Sequence, residues 1–297
     1  MRATPPDAKV LLVFLAAQAN GKAMSRARPN CIECSALKSG LCGMLSGEEL
    51  TRLSRAAWCR QYNPGQVIHP DGVNPACFSA IVCGVVKILK SLPNGTQQIV
   101  RLLLPGDLLG RPFGHESRSS AVAATKVKLC TFPRAVVENL VTESRSVERW
   151  LFERVSDELE KAQDWITLLG RMTAEQRIAT FLLWVARRTN EESPHAPNSS
   201  GALVIELPLS RADMADYLGL TIETVSRQLG RLRNRGIITI GASRTIIVHR
   251  SDVLEAVITA QIPSSSCAAE PIPPKLGGES KSETGAVRIV SPHGRPQ

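Results

Sequence analysis

Between Leu45 and Val141, apolar residues fall in short aliphatic or β-branched runs such as "QVIH", "FSAIVCGVVKILKSL" and "TQQIVRLLL". Gly65, Gly72, Gly84, Gly95 and Gly106 punctuate them. Short runs at such spacing predict strands throughout this region, folded as a small antiparallel barrel or roll. Pro93-Asn94-Gly95 lies between two of the runs and predicts a hairpin turn. After Ser144 the period changes. Phe152, Val155, Leu159, Ala162, Ile166 and Leu169 step by 3, 4, 3, 4 and 3 within a proline-free stretch from Arg134 to Ser193. That is an a/d stripe on a long helix. So narrow a stripe favours pairing with a second copy of the helix over packing on its own domain.

A second helix is predicted from Thr173, where Thr173 and Gln176 have the spacing of a capping box. Ile178, Phe181, Leu182 and Val185 form its apolar face, and it runs to about Arg188. "NEESPHAPNSSG" reads as a loop and "LVIEL" as a strand. Beyond Gln261 the chain is rich in Pro, Ser and Gly, a composition that predicts disorder.

The segment Leu209 to Gly236, "LSRADMADYLGLTIETVSRQLGRLRNRG", predicts two short helices joined at Gly219-Leu220. Ser210 and Thr221 stand at the N-cap positions, and Gly236 at the C-terminal stop. Helix, glycine turn and second helix make a helix-turn-helix. On the second helix Val225, Leu229 and Leu232 share one face. Glu223, Ser226 and Arg227 lie opposite, near the end that enters a major groove. An arginine there can grip guanine in a bidentate fork, and a carboxylate can accept from cytosine. Arg231, further along, is expected near the DNA backbone. "IITI", "GASR" and "TIIV" predict a wing hairpin with Arg244 at its tip, placed for phosphate contact.

Composition agrees. The 297 residues carry a net charge of +9, which favours a polyanionic partner. Hydrophobic residues make up 43% and aromatics only 4%, so aliphatic side chains fill the cores. No apolar run reaches the roughly 18 residues of a membrane span. Val10 to Ala16, followed by Ala17-Gln18-Ala19, has the outline of a secretory signal, and Met24 offers an alternative start. No catalytic triad, phosphate-binding loop or paired-carboxylate constellation is present, so an enzyme is not expected.

Eight cysteines are unevenly spread: Cys31, Cys34, Cys42, Cys59, Cys77, Cys83, Cys130 and Cys267. In a chain of this length they point to metal or redox chemistry before disulfides. The first three lie within "CIECSALKSGLC". Thiolates at this spacing suit zinc as well as an iron–sulfur cluster. Cys77 and Cys83 fall in predicted strands and are expected to be buried, and Cys59 is left over.

A β-roll, a long helix and a winged helix-turn-helix, in this order, resemble the Crp/Fnr superfamily of transcription regulators over roughly Cys31 to Ala260. "LGLTIETVSRQLGRLRNRGII" is similar to the recognition segment of that family, which carries E-x-x-S-R, here Glu223, Ser226 and Arg227. "LLLPGDLLG", Leu102 to Gly110, resembles its G-D-x-x-G turn. The C-x2-C-x7-C spacing resembles the Fnr-like iron–sulfur oxygen-sensing branch (FnrN/FixK-type).

The resemblance implies an α+β fold with five parts. They are an N-terminal arm over residues 1–30, a cyclic-nucleotide-binding-like antiparallel β-roll over 31–143 and a dimerisation helix over 144–170. A winged helix-turn-helix over 171–262 and a disordered tail over 263–297 follow. It implies a [4Fe–4S] cluster on Cys31, Cys34, Cys42 and Cys130, with zinc as the alternative, and an inverted-repeat TTGAT-type site read by a homodimer. It further implies a cytoplasmic activator of anaerobic genes that works with RNA polymerase and not at a membrane. Arg111 stands where the nucleotide-binding branch has a glutamate, which argues against a cyclic nucleotide as the signal. The expected seam carries no charge, so the dimer is expected to persist without the cluster.

Overall fold

The computed structural model describes Cys34 and residues 40–73, 76–110, 113, 117–192 and 202–260. The expected N-terminal arm, Cys31, Arg111 and the expected C-terminal tail lie outside the described residues.

Among the described residues, eight strands build the roll: β1 (Trp58–Tyr62), β2 (Val67–His69), β3 (Cys77–Cys83), β4 (Val86–Ser91), β5 (Gln97–Leu103), β6 (Leu108–Leu109), β7 (Ser120–Ala123) and β8 (Val127–Pro133). They form two four-stranded antiparallel sheets, ordered β1-β8-β3-β6 and β2-β7-β4-β5. The β4–β5 hairpin closes where the sequence places it, with Leu92 N donating to Thr96 O at 2.8 Å and Gly95 at φ 83°. Period two along β8 separates its side chains. Val127 and Leu129 enter the core between the sheets with Ile81, Val86 and Leu103. Cys130 and Phe132 face an outer cluster instead. Glycine is required at Gly84, which has φ 85°, because a Cβ there would sit 2.2 Å from Lys126 O.

That outer cluster is covered by a 3-10 turn (Leu41–Met44), helix α1 (Gly47–Ala56) and helix α2 (Arg134–Glu143). Helix α1 corrects the reading of the whole region as strands. Its start is a full capping box, with Glu49 N donating to Ser46 Oγ and Ser46 N to Glu49 Oε2. Its amphipathic face buries Leu53. The cysteine expectation also needs correction: Cys77 is only half-buried and Cys83 is exposed. Cys83 is the last residue of β3, after a register shift that follows Ile81, and among the described residues no layer covers it.

Helix α3 (Arg145–Arg171) is the long one, and helix α4 (Ala174–Glu192) follows it. The Thr173 and Gln176 caps are both made. Helix α4 runs past Arg188 into residues expected to be a loop. Polarity does not end a helix, and the first strong stop is Pro194, which disfavours helical backbone in the residue before it. Then come β9 (Leu203–Glu206), α5 (Arg211–Leu218), α6 (Ile222–Asn234), β10 (Ile238–Ile240), β11 (Thr245–Val248) and α7 (Ser251–Thr259). The last three strands form a sheet ordered β10-β11-β9. One apolar cluster joins Leu89, Ile99 and Leu102 of the roll to Phe181, Met214, Leu218 and Leu229. The roll and the C-terminal helices therefore share a core.

Candidate nucleic-acid interface and thiolate site

Helix α5 starts with a reciprocal cap in which Asp213 N donates to Ser210 Oγ at 3.1 Å and Ser210 N to Asp213 Oδ2 at 3.3 Å. It ends at Gly219, whose φ of 62° is left-handed and suits a residue without a Cβ. Arg177 of α4 braces this turn, a role the sequence reading missed. Its guanidinium donates to the carbonyls of Leu218 (2.9 Å), Leu169 (2.6 Å) and Met172 (3.0 Å). One side chain thus ties the end of α3 to the turn of the helix-turn-helix.

Helix α6 is capped by Thr221, whose Oγ1 accepts from Thr224 N at 3.2 Å. Val225, Leu229 and Leu232 are buried as their spacing requires. Glu223, Arg227 and Arg231 are exposed, and Ser226 is half-buried. The four predicted α6 residues are therefore carried on one helix outside the core. Arg227 reaches back to Thr224 Oγ1 at 3.4 Å. Backbone N–H donation at the helix N-terminus, aided by Thr221, holds the Glu223 carboxyl below its usual range, so it is an anion at neutral pH. An exposed anion beside an arginine suits base-edge reading better than phosphate contact.

Arg244 lies at the wing tip and is exposed, with left-handed backbone at Ser243 (φ 51°) and Arg244 (φ 71°). It lines a crevice shared with Lys126 of the roll and Arg188 of α4. It is carried on the turn between β10 and β11 and not on α6.

The helix-turn-helix is clasped to the roll by polar contacts as well. Lys87 of β4 pairs with Asp213 in a half-buried ion pair. Burial alone would raise the Asp213 carboxyl, but hydrogen bonds from Lys87 and Ser210 outweigh it and hold the group below its usual range.

Most of the predicted seam on α3 is open. Phe152 is 73% exposed and Ile166 69%, and Val155, Leu159 and Ala162 are exposed as well. Leu169 departs from the stripe. It is half-buried, and its Cδ2 lies 3.5 Å from where a Cβ on Gly219 would sit.

At the other end of the roll, Cys130 is 6% exposed and belongs to the outer cluster that Cys34 and Cys42 border. That cluster also holds Val147 and touches Trp150, in the first turns of α3. Among the described residues no three His, Cys, Asp or Glu side chains converge closely enough to hold a metal. Cys31, the fourth predicted ligand, lies outside the described residues. The donor set remains chemically suited: three thiols border one apolar site, where thiolate-ligated iron is shielded from water.

Residues 59–144 match the family model for a cyclic nucleotide-binding domain, and residues 176–257 match that for a Crp-like helix-turn-helix domain. A probable transcriptional activator of Rhizobium leguminosarum bv. viciae is 42% identical over 230 residues, 77% of this chain and 93% of that protein. The transcriptional activator protein FnrL of Cereibacter sphaeroides is 35% identical over 218 residues, 73% of this chain and 87% of that protein. Among solved structures, FixK2 from Bradyrhizobium japonicum superimposes with a TM-score of 0.61 at 32% identity, covering 69% of this chain and 99% of FixK2.

Proposed function

Because the chain belongs to the Crp/Fnr family of DNA-binding transcription regulators, we propose that it is an oxygen- or redox-responsive activator whose signal is received at Cys31, Cys34, Cys42 and Cys130. The observation that carries this reading is the shared cluster. Cys130, Cys34 and Cys42 pack on the same apolar residues as Val147 and Trp150 at the root of α3. A [4Fe–4S] cluster held by the four thiolates would supply an oxygen-labile centre there.

The chain's own residues supply the rest. Cys130 sits on β8, which runs directly into α2 and then α3. The 3-10 turn carrying Cys42 packs on α3. A change in how these cysteines are held therefore reaches the base of the long helix through side chains in contact. The exposed stripe from Phe152 to Ile166 pairs two chains into a homodimer, which brings two α6 helices onto half-sites about 34 Å apart. Glu223, Ser226 and Arg227 read an inverted repeat of TTGAT type, and Arg231 and Arg244 contact the backbone. The low-oxygen form is the one that binds DNA. Activation through RNA polymerase in the cytoplasm completes the reading.

Anaerobic purification tests it. A brown protein absorbing near about 400 nm, with iron and sulfide in equal amounts, is the expected result, because thiolate-ligated iron is coloured. A colourless protein with stoichiometric zinc would replace the cluster with a zinc site on the same thiolates, since d¹⁰ zinc has no such colour.

A further inference from the structure

Cys59 has no part in the proposed ligand set, yet it stands directly opposite Cys130. In the antiparallel pairing of β1 with β8 the two are register partners. Residues directly opposite in an antiparallel pair project to the same face, with Cβ atoms about 4.5–5.5 Å apart. The other described strand cysteines have different partners on β8: Cys77 is opposite Pro133 and Cys83 opposite Lys128. Exposure differs across the pair, since Cys130 is buried and Cys59 half-buried.

We propose that Cys59 and Cys130 are a redox pair. When Cys130 is not held as a metal ligand, a hydroperoxide joins the two thiols in a disulfide across β1 and β8. The more accessible Cys59 reacts first. Its thiolate attacks one oxygen of hydrogen peroxide, the O–O bond breaks, and Cys59 becomes a sulfenic acid, while the departing hydroxide takes up the proton the Cys59 thiol had lost and leaves as the first water. The Cys130 sulfur then attacks the Cys59 sulfur. The S–O bond breaks, the Cys130 proton joins the departing hydroxide, and a second water leaves. Two thiols and one hydrogen peroxide give one disulfide and two waters.

The Cβ separation of a disulfide, about 3.5–4.5 Å, is shorter than that of an opposed pair, so the strands must be drawn together. A bridge strained in this way is easily reduced, as regulatory disulfides are. Its consequence rests on the proposed role of Cys130. While the bridge stands, one ligand is withdrawn and the chain cannot reload until a thiol reductant opens it. Cys59 would turn loss of the cluster into a record of peroxide exposure.

The test uses the full chain, purified metal-free and reduced, then freed of reductant and treated with one equivalent of hydrogen peroxide. It is alkylated, digested and mapped by mass spectrometry. The expected product is a dithiothreitol-sensitive link between the peptides containing Cys59 and Cys130. Cys59→Ser should abolish it while leaving the iron and sulfide of the anaerobic protein unchanged, and should speed reloading after peroxide in the absence of reductant. Recovery of Cys130 alkylated, or linked to Cys31, Cys34 or Cys42, would overturn the proposal. The iron content of the untreated parent is read separately: its absence would remove the cluster reading and leave the link map to decide the pair. Should Cys59→Ser misfold, the map of the parent still gives the answer.

Discussion

The indole of Trp165 stacks on the ring of Tyr217, with centroids 4.1 Å apart and planes 20° from parallel. The contact joins the long helix α3 to α5, the first helix of the DNA-reading motif. Phe181 of α4 meets Tyr217 edge-on at 5.9 Å and 72°, completing a three-helix aromatic junction. Removing the ring leaves a cavity where three helices meet. Tyr217→Ala is expected to cost about 3–5 kcal/mol, read as a lower urea midpoint for the reduced chain. A cost below about 1 kcal/mol would mean that the junction does not hold the motif in place.

The Lys87–Asp213 clasp makes the union of roll and helix-turn-helix pH-dependent. The Asp213 carboxyl is held low in the folded chain. Its contribution to stability is therefore present above the unfolded-state value, about 3.9, and is lost as pH falls through the lower folded value. The unfolding free-energy difference between the parent and Lys87→Met is expected to be constant from pH 5 to pH 8 and to shrink below about pH 4. Asp216, whose carboxyl burial and the Asp213 charge raise and Lys87 lowers, is replaced by Asn in both proteins so that its own titration does not enter the difference. A difference unchanged down to pH 2 would contradict the clasp.

On the DNA face, the α6 arginines should separate into two kinds. Arg227→Ala is expected to cost about 1–3 kcal/mol on a matched site and to relax discrimination at one guanine. Arg231→Ala should weaken all sequences alike and lower the salt slope by about 1. Fluorescence anisotropy against matched and mismatched duplexes at two salt concentrations distinguishes them. Uniform weakening by Arg227→Ala would remove its base-reading role.

Ile166, 69% exposed on α3, lies on the proposed seam. Ile166→Glu places a charge where the proposed dimer buries an apolar side chain. It should sediment as a monomer under conditions where the parent is a dimer. Because the seam of the parent is uncharged, the metal-free parent is expected to stay dimeric at micromolar concentration. A metal-free parent found only as monomer would show that oxygen acts by dissociation.

How much of this could be read from the chain depended on what each local signal encodes. The helix-turn-helix was legible almost residue by residue, because Ser210, Gly219, Thr221 and Gly236 each carry a local rule of capping or turn geometry. Helix α1 was missed, although Ser46 and Glu49 carry its cap, because strand-like runs on its C-terminal side obscured it. The exposure of Cys83 could not be read, since a strand period does not say where the covering layer stops. Nor does spacing reveal that Cys59 faces Cys130, because register between distant strands is a tertiary property. The same holds for Arg177, whose four carbonyl partners, on Leu169, Met172, Leu218 and Gly219, come together only after α3, α4 and α5 have packed. Leu169 fits a heptad on paper, yet the turn at Gly219 claims it.

The ligand set makes a further prediction. Cys130→Ala should abolish retention of iron and sulfide on anaerobic purification, whereas Cys83→Ala, at an exposed strand end, should leave both unchanged. Equal loss in the two variants would show that Cys130 has no special place.

The central claim is that oxygen, received at the cysteines, controls how α6 meets DNA. The most direct measurement is the affinity of the full chain for a duplex with an inverted TTGAT repeat, taken anaerobically and again after exposure to air at the same salt concentration. The account predicts tight binding without oxygen and at least about tenfold weaker binding after air, a change of about 1.4 kcal/mol. Equal affinity in the two states would contradict it.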